Sequence, residues 1–294
     1  MSKSPVILTI AGSDSACCSG IQADIKTISA LGGYAVNAIT CITSQNTRGV
    51  YSTFCIPPEI VFSQLCAIAS DFEIDAVKIG MFYNLKTLDS VCKFIDQCDT
   101  KFIIIDPVFK SSMGDSLINE DALPKLVNQL FFKACLVTPN LPELVTILRV
   151  LGAKKLMAEF EGYAEFKLEF LAGLLTECSD FLWSLNMPAF LVKGGHMFEH
   201  SEIKLHSSIV KISDFILSEG RIKNLEKNKI QTRNTRGTGC SLSSAIATNL
   251  GKGNSFHDSV YLSQKYVHDS LISAKNHTRG SKNGPIDHFF GLPN

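Results

Sequence analysis

The stretch "VILTIAGSDSACCSGIQADIKTISALG", residues 6–32, decides the fold. It opens with a short apolar run that ends at Gly12, and it continues with Ile21, Ile25, Ile28 and Leu31 at helical spacing. A buried strand followed by an amphipathic helix is half of a βαβ unit, and the chain repeats the pattern. "AVNAITCIT" and "AVKIGM" read as buried strands, with "PEIVFSQLCAIASDF", opened by prolines, as the helix between them. "NLKTLDSVCKFI", "FIIIDPV", "DALPKLVNQLF", "CLVTPN" and "PELVTILRVLG" keep alternating helix and strand. A long helical segment around residues 163–185 and the strand "AFLVKGG" follow.

Such alternation predicts an α/β protein with a mainly parallel central sheet flanked by helices on both faces. Between about Ile203 and Gln231 the pattern shortens to hairpin-like segments, a β-meander appended in the C-terminal third. Helices return after Cys240 and around Val260–Ile272. No repeat, linker or low-complexity tract interrupts the chain, so a single domain over residues 1–294 is expected.

Composition narrows the function. With 45% hydrophobic residues the chain can bury a sizeable core, and 28 basic residues balance 28 acidic ones. Nothing in that balance asks for nucleic acid or an anionic membrane, whereas a phosphorylated small molecule needs only local positive charge. No apolar run approaches a membrane span, and Asp14 stops the N-terminal run too early for a secretory signal, so a cytosolic protein is expected. The ten cysteines are irregularly spaced and form no C-x-x-C pair. Cys41, Cys66, Cys92 and Cys135 sit in apolar runs and read as buried, reduced thiols.

In an open α/β sheet, ligands bind beyond the carboxyl ends of the strands. "AGSD", "TSQN", "GM", "DPV", "TPN" and "KGGH" all fall at strand ends, which points to one shared site. The turn Gly237-Thr238-Gly239 enters a helix whose spacing is marked by Leu242, Ala245, Ile246 and Leu250. Its backbone N–H groups and the helix dipole suit an anion, and the same position favours a thiolate at Cys240. The competing reading is an ordinary glycine turn before a packed helix. No Walker A lysine follows, and the broken G-x-G does not specify a dinucleotide.

The other candidates carry paired readings too. Asn140 and Glu143 fit a capping box with Pro142 in the first turn, which is the preferred reading, and a carboxylate beside phosphate-bound Mg²⁺ is the second and can coexist with it. Asp106 ends a wholly apolar strand, where a carboxylate must be solvated, paired or near a metal. Lys193 can reach a transferring phosphoryl group or only solvent. The Gln45 amide matches an aminopyrimidine edge or a loop backbone. His196 and His200 lack H-E-x-x-H and a cysteine at ligand spacing, so zinc is not expected. The basic stretch from Arg221 to Arg236 has no interleaved aromatics and reads by default as a solvated hairpin, with a loop near a triphosphate as the alternative.

In this order "LTIAGSD", "GIQADIKTISALG", "ITSQNTRGV", "KIGM", "DPV", "TPNLPE", "VKGGH", "GTGCSLSSAIA" and "NGPIDHFF" resemble the hydroxymethylpyrimidine and phosphomethylpyrimidine kinases of thiamin synthesis, within the ribokinase superfamily. The resemblance spans nearly the whole chain. It implies a ribokinase-like fold and transfer of the ATP γ-phosphoryl to the hydroxymethyl group, then to the resulting monophosphate. Carried over by position, Gln45 reads the pyrimidine edge, and Gly12, Ser19, Asp24, Met81 and Val108 line the pocket. Gly237, Thr238 and Gly239 hold the phosphoryl group, and Asp106, Asn140 and Glu143 serve the Mg-nucleotide, with Asp106 and Glu143 on the metal side. Lys193 steadies the phosphates, and Cys240 stands where the superfamily's sugar kinases carry an aspartate base. A homodimer is also implied.

The chain departs from the pattern at Cys17-Cys18-Ser19, where Gly-Gly-Ala is usual, and in the loop after Asp106, "FKSSMGD". Arg236 stands where histidine is usual. These departures bear on the substrate, and two rivals follow: a pyridoxal kinase, and a pyrimidine-binding protein without turnover.

Overall fold

The computed structural model describes residues 4–109, 117–161, 168–195 and 211–291. Its first elements are β1 (Val6–Asp14), α1 (Gly20–Ala30), β2 (Tyr34–Asn46), β3 (Gly49–Cys55) and α2 (Pro58–Ala69). Next come β4 (Ala76–Ile79), α3 (Leu85–Ile95), β5 (Ile103–Ile105), β6 (Leu136–Val137) and α4 (Leu141–Val150). The chain continues through α5 (Lys154–Glu161), α6 (Leu168–Ser184), β7 (Ala189–Val192), β8 (Lys211–Ser218) and β9 (Arg221–Asn228). It closes with α7 (Thr238–Gly251) and α8 (Phe256–Ala274).

Two compact units emerge, Met1–Ala122 with Ile230–Asn294, and Leu123–Lys229. In the first, the strands lie in the order β3-β2-β1-β4-β5. β1 pairs parallel with β2 and β4, β4 pairs parallel with β5, and β3 runs antiparallel on β2. Ile7, Leu8 and Ile10 of β1 are fully buried, which is why that strand reads as an unbroken apolar run. In the second unit β6 and β7 are parallel, and β8 and β9 add an antiparallel meander. The mainly parallel α/β architecture with its late meander is therefore the one the alternation predicts.

Three details differ from the sequence pattern. Residues Gly49–Cys55, to which the pattern assigned no element, form β3. Their polar and aromatic residues leave Tyr51 and Phe54 exposed, so no buried periodicity marks them. The helix expected at "DALPKLVNQLF" is a chain of short turns: 3₁₀ at Glu120–Ala122, α at Leu123–Lys125, π at Leu126–Leu130 and 3₁₀ at Phe131–Lys133. The helix expected around 163–185 is α6, Leu168–Ser184, and Tyr163 lies outside the described residues. So do His196, His200 and residues 110–116 of the loop after Asp106. Cys66 is exposed and Cys92 and Cys135 half-buried, so of the four thiols expected in the core only Cys41 lies there. α2 turns Val61 and Leu65 inward and Cys66 outward.

Candidate functional site

The first unit gathers its site residues where β1 and β2 bend. The pairing of β1 with β2 shifts register between Ala11 and Ser13, and that of β2 with β3 between Ser44 and Gln45. Such bulges re-aim side chains near sites. Gly12 is required by space: a Cβ there would lie 2.7 Å from the Cys41 sulfur and 3.3 Å from the Met81 sulfur. The Thr40 hydroxyl donates to the Met81 carbonyl at 2.6 Å, so Gly12, Cys41 and Met81 form one floor. Gln45 is half-buried, and Ser15 clasps its backbone with two 2.8 Å hydrogen bonds.

Asp14, which the sequence reading left without a role, organises the first loop. Its carboxylate accepts from the backbone N–H groups of Ala16, Cys18 and Ser19 and from the Ser19 hydroxyl. Ser19 is thereby turned into the loop. Cys17 adopts a left-handed φ of 55°, a conformation unusual for a side-chain-bearing residue. The unusual loop sequence still folds, because one carboxylate takes up four donors.

Asp24 also faces inward. Fully buried, it accepts from Lys78 at 3.0 and 2.8 Å, from Thr9 at 2.6 Å and from Ser244 at 2.8 Å. Lys78 is buried as deeply; burial alone would lower its ammonium, but Asp24, with Cys240 and Asp106, holds it above the usual lysine range. The lysine inside the buried strand "AVKI" was the one legible signal of this pair. Ser244 lies one helical turn past Cys240, so the pair joins β1, β4 and α1 to the helix bearing the thiol.

That helix, α7, begins at a bare N-terminus. Gly237, its N-cap, has φ 85° and offers no side chain to the first N–H groups. A Cβ on Gly237 would lie 2.0 Å from the Cys18 carbonyl oxygen, so the turn and the first loop touch and only glycine fits. The Thr238 hydroxyl is turned to the Thr235 carbonyl at 3.1 Å.

At Cys240 burial works against the thiolate that the helix position favours. Burial pushes the thiol up to about 11, against the pull of Lys78, with Asp24 and Asp106 adding to the rise and the Gly20 backbone opposing it. Desolvation outweighs the helix terminus. Asp106, almost wholly buried at the end of β5, bonds through its N–H to the Ile79 carbonyl at 2.8 Å, and half-buried Val108 follows it.

A cavity of about 440 Å³ opens on the other flank of the first loop, lined by Cys17, Lys26, Asn46, Arg279 and His288 among others. None of Gly12, Gln45, Met81 and Cys240 lines it. Burial, with Lys26 and Arg279 adding, pulls the His288 imidazole down to about 4 against Asp287.

The second unit holds Asn140, Glu143 and Lys193 together. The capping box forms: the Asn140 side chain accepts from the Glu143 N–H at 2.8 Å, and Glu143 accepts from the Asn140 N–H at 2.7 Å. Lys193 lies 3.9 Å from the same Glu143 oxygen, and its backbone bridges to Asn140. Asp214, which the hairpin pattern did not single out, accepts from the Gly194 N–H at 2.8 Å and pairs with Lys227 at 2.6 Å. Among the described residues no helix is long and apolar enough to cross a membrane, and no cluster of three or more metal-ligating side chains occurs.

The chain is 36% identical over 97% of its length to the hydroxymethylpyrimidine/phosphomethylpyrimidine kinase of Rhizobium meliloti, covering 97% of that protein. It is 35% identical over 99% of its length to a chloroplastic thiamine biosynthetic bifunctional enzyme of Arabidopsis thaliana, of which it spans about half (51%). Among solved structures, the ADP complex of Bacillus subtilis pyridoxal kinase superposes with a TM-score of 0.77 at 26% identity, covering 97% of this chain and 98% of that one. The phosphomethylpyrimidine kinase family model matches residues 14–287, and the chain belongs to that family.

Proposed function

We propose that the chain is an ATP-dependent kinase that phosphorylates 4-amino-5-hydroxymethyl-2-methylpyrimidine and then its monophosphate, supplying the diphosphate for thiamin synthesis. The observation that carries this reading is the bare, left-handed Gly237 turn at the head of α7, with Cys240 in its first turn and the Lys78–Asp24 pair beneath. An uncapped helix N-terminus suits the charge on a transferring phosphoryl group.

Gly237, Thr238 and Gly239 hold that group through backbone N–H. Gln45 reads the amino-pyrimidine edge above the floor of Gly12 and Met81, with Ser19 fixing the adjoining loop and Val108 at the wall. Asp24 supports this pocket from below rather than touching substrate, since all its contacts are internal. Cys240 meets the substrate hydroxyl as a neutral thiol, a contact that orients it. Phosphoryl transfer depends on positioning and electrostatics more than on a strong base. The hydroxyl oxygen forms the new P–O bond, the bond to the ADP leaving group breaks, and the hydroxyl proton is released.

Asp106, and separately Asn140, Glu143 and Lys193, serve the Mg-nucleotide. Asp106 in the first unit and Glu143 in the second each offer a hard carboxylate oxygen of the kind that Mg²⁺ would take. Bound beside the phosphates, the metal would supply charge neutralisation. Lys193 steadies the phosphates as a point charge.

The family match over residues 14–287 supports one kinase domain running through both units. All ten cysteines are free thiols, which supports a reducing compartment such as the cytosol. Exposed Ile42 and Phe54, directly opposite on β2 and β3, support a homodimer, which sedimentation velocity tests.

The likeness in fold to pyridoxal kinase favours that activity as the second reading. ADP release is the deciding assay, run with Mg-ATP and hydroxymethylpyrimidine, its monophosphate or pyridoxal. Turnover of both pyrimidines is expected. Turnover of pyridoxal alone moves the chain to vitamin B6 salvage, and pyrimidine binding without ADP makes it a binding protein.

A further inference from the structure

Arg236 is only 3% exposed, although the surrounding basic stretch reads as solvated. Its backbone is pinned to the C-terminal segment, N–H to the Gly284 carbonyl at 3.0 Å and carbonyl from the Ile286 N–H at 3.4 Å. One guanidinium nitrogen donates to the Asn46 carbonyl at 3.1 Å, while the buried Nε has no acceptor. Among the described residues no carboxylate pairs with it. A buried cation without a counter-charge is costly, and burying it beside neutral carbonyls alone does not offset that cost.

Its position suggests what completes it. Arg236 directly precedes Gly237, and its hydrogen bond reaches the residue after Gln45. The guanidinium thus ties the strand end that carries the pyrimidine-reading amide to the turn that heads α7. Its charge is felt in that loop: burial and Asp14 raise the Cys18 thiol, and Arg236 opposes them. Cys18 is the residue whose carbonyl packs against Gly237. Asp14 is occupied by its four loop donors.

We propose that Arg236 is a standing counter-charge for the anionic groups that meet at Gly237–Gly239, the transferring phosphoryl group and, in the second step, the acceptor's own phosphate, and that it is a positioning residue which favours a phosphorylated over an unphosphorylated substrate. The proposal rests on the reading of that turn as the phosphoryl site. A phosphate monoester brings close to two negative charges that the alcohol lacks. A fixed cation held in a poorly solvated place acts strongly on such a difference.

The test compares wild type with Arg236→Lys, which keeps the charge, and Arg236→Met, which keeps the bulk. Each is melted in chloride and in inorganic tripolyphosphate at matched ionic strength, and assayed with both pyrimidines. The expected result has three parts. Arg236→Met melts no lower than wild type in chloride, because an uncompensated charge has gone. It loses most of the tripolyphosphate shift, which Arg236→Lys retains. Its kcat/KM ratio of monophosphate to alcohol falls about tenfold.

The proposal is overturned if wild type shows no tripolyphosphate shift, or if Arg236→Met keeps it. It is equally overturned if Arg236→Met fails to fold, or melts lower and loses both substrates in proportion, since Arg236 is then a structural bolt. Should wild type turn over neither pyrimidine, the kinase reading fails instead, and the tripolyphosphate melts still decide the role of Arg236.

Discussion

Two buried cations lie in the first unit, and the protein treats them differently. Lys78 is enclosed with a partner: Asp24 takes its charge, and Thr9 and Ser244 take the remaining carboxylate capacity. Arg236 is enclosed with one backbone carbonyl and an orphan Nε. A closed charge pair fixes geometry and asks for nothing further, whereas an open one leaves room for a ligand to complete it. The first lies beneath the helix that carries Cys240, and the second stands at its entrance. Support and reception are separated along one short piece of chain.

The harshest way to break the contrast is to open the closed pair. Lys78→Met leaves Asp24 buried without its cation and is expected to cost about 3–5 kcal/mol in a urea titration. A loss below about 1 kcal/mol would mean the pair is not what braces α7.

Next in size is an acid effect at His288, which bonds Ser241 at 3.1 Å in the first turn of α7. Its imidazole is held down to about 4, chiefly by burial. Neutral His288 therefore stabilises the fold in full above the unfolded value near 6.5, and that contribution is lost as pH falls towards 4. Up to about 3 kcal/mol should disappear across this window, and His288→Gln should flatten that part of the pH–stability curve. An unchanged slope in the variant would assign the acid sensitivity elsewhere.

The smallest effect sharpens the account of the thiol. With Cys240 protonated at neutral pH, Cys240→Ala should lower kcat by less than about tenfold, because a true general base contributes about 10²–10⁴. A loss in that upper range, with a pH profile that changes shape, would restore the thiol as base.

Much of this was legible in the chain itself. The alternation of apolar runs and helical spacing carried the architecture, because parallel strands buried on both faces have little polar sequence to confuse them. Gly12 and Gly237 were conspicuous, and space explains both. The roles of Asp14, Asp24, Lys78 and Arg236 were not legible. Each depends on partners distant in sequence, or on their absence, which spacing cannot reveal. Asp24 lies on a helix that reads as ordinary, and its inward turn follows from a lysine on a strand 54 residues away. Arg236 sits in a run of basic residues whose usual fate is solvent, and only burial distinguishes it. At Cys240 the two influences differ in the same way, since a helix N-terminus is visible in sequence and the burial that opposes a thiolate there is not.

The bond from Ser244 to Asp24 spans 220 residues, and the bond from Arg236 to Asn46 spans 190. A ribosome delivers Asp24 and Asn46 long before Ser244 and Arg236. A chain made only as far as Lys78 already carries Asp24 and its cation, while the helix they brace is still to come. The Gly237 turn is among the last parts of the candidate site to be synthesised.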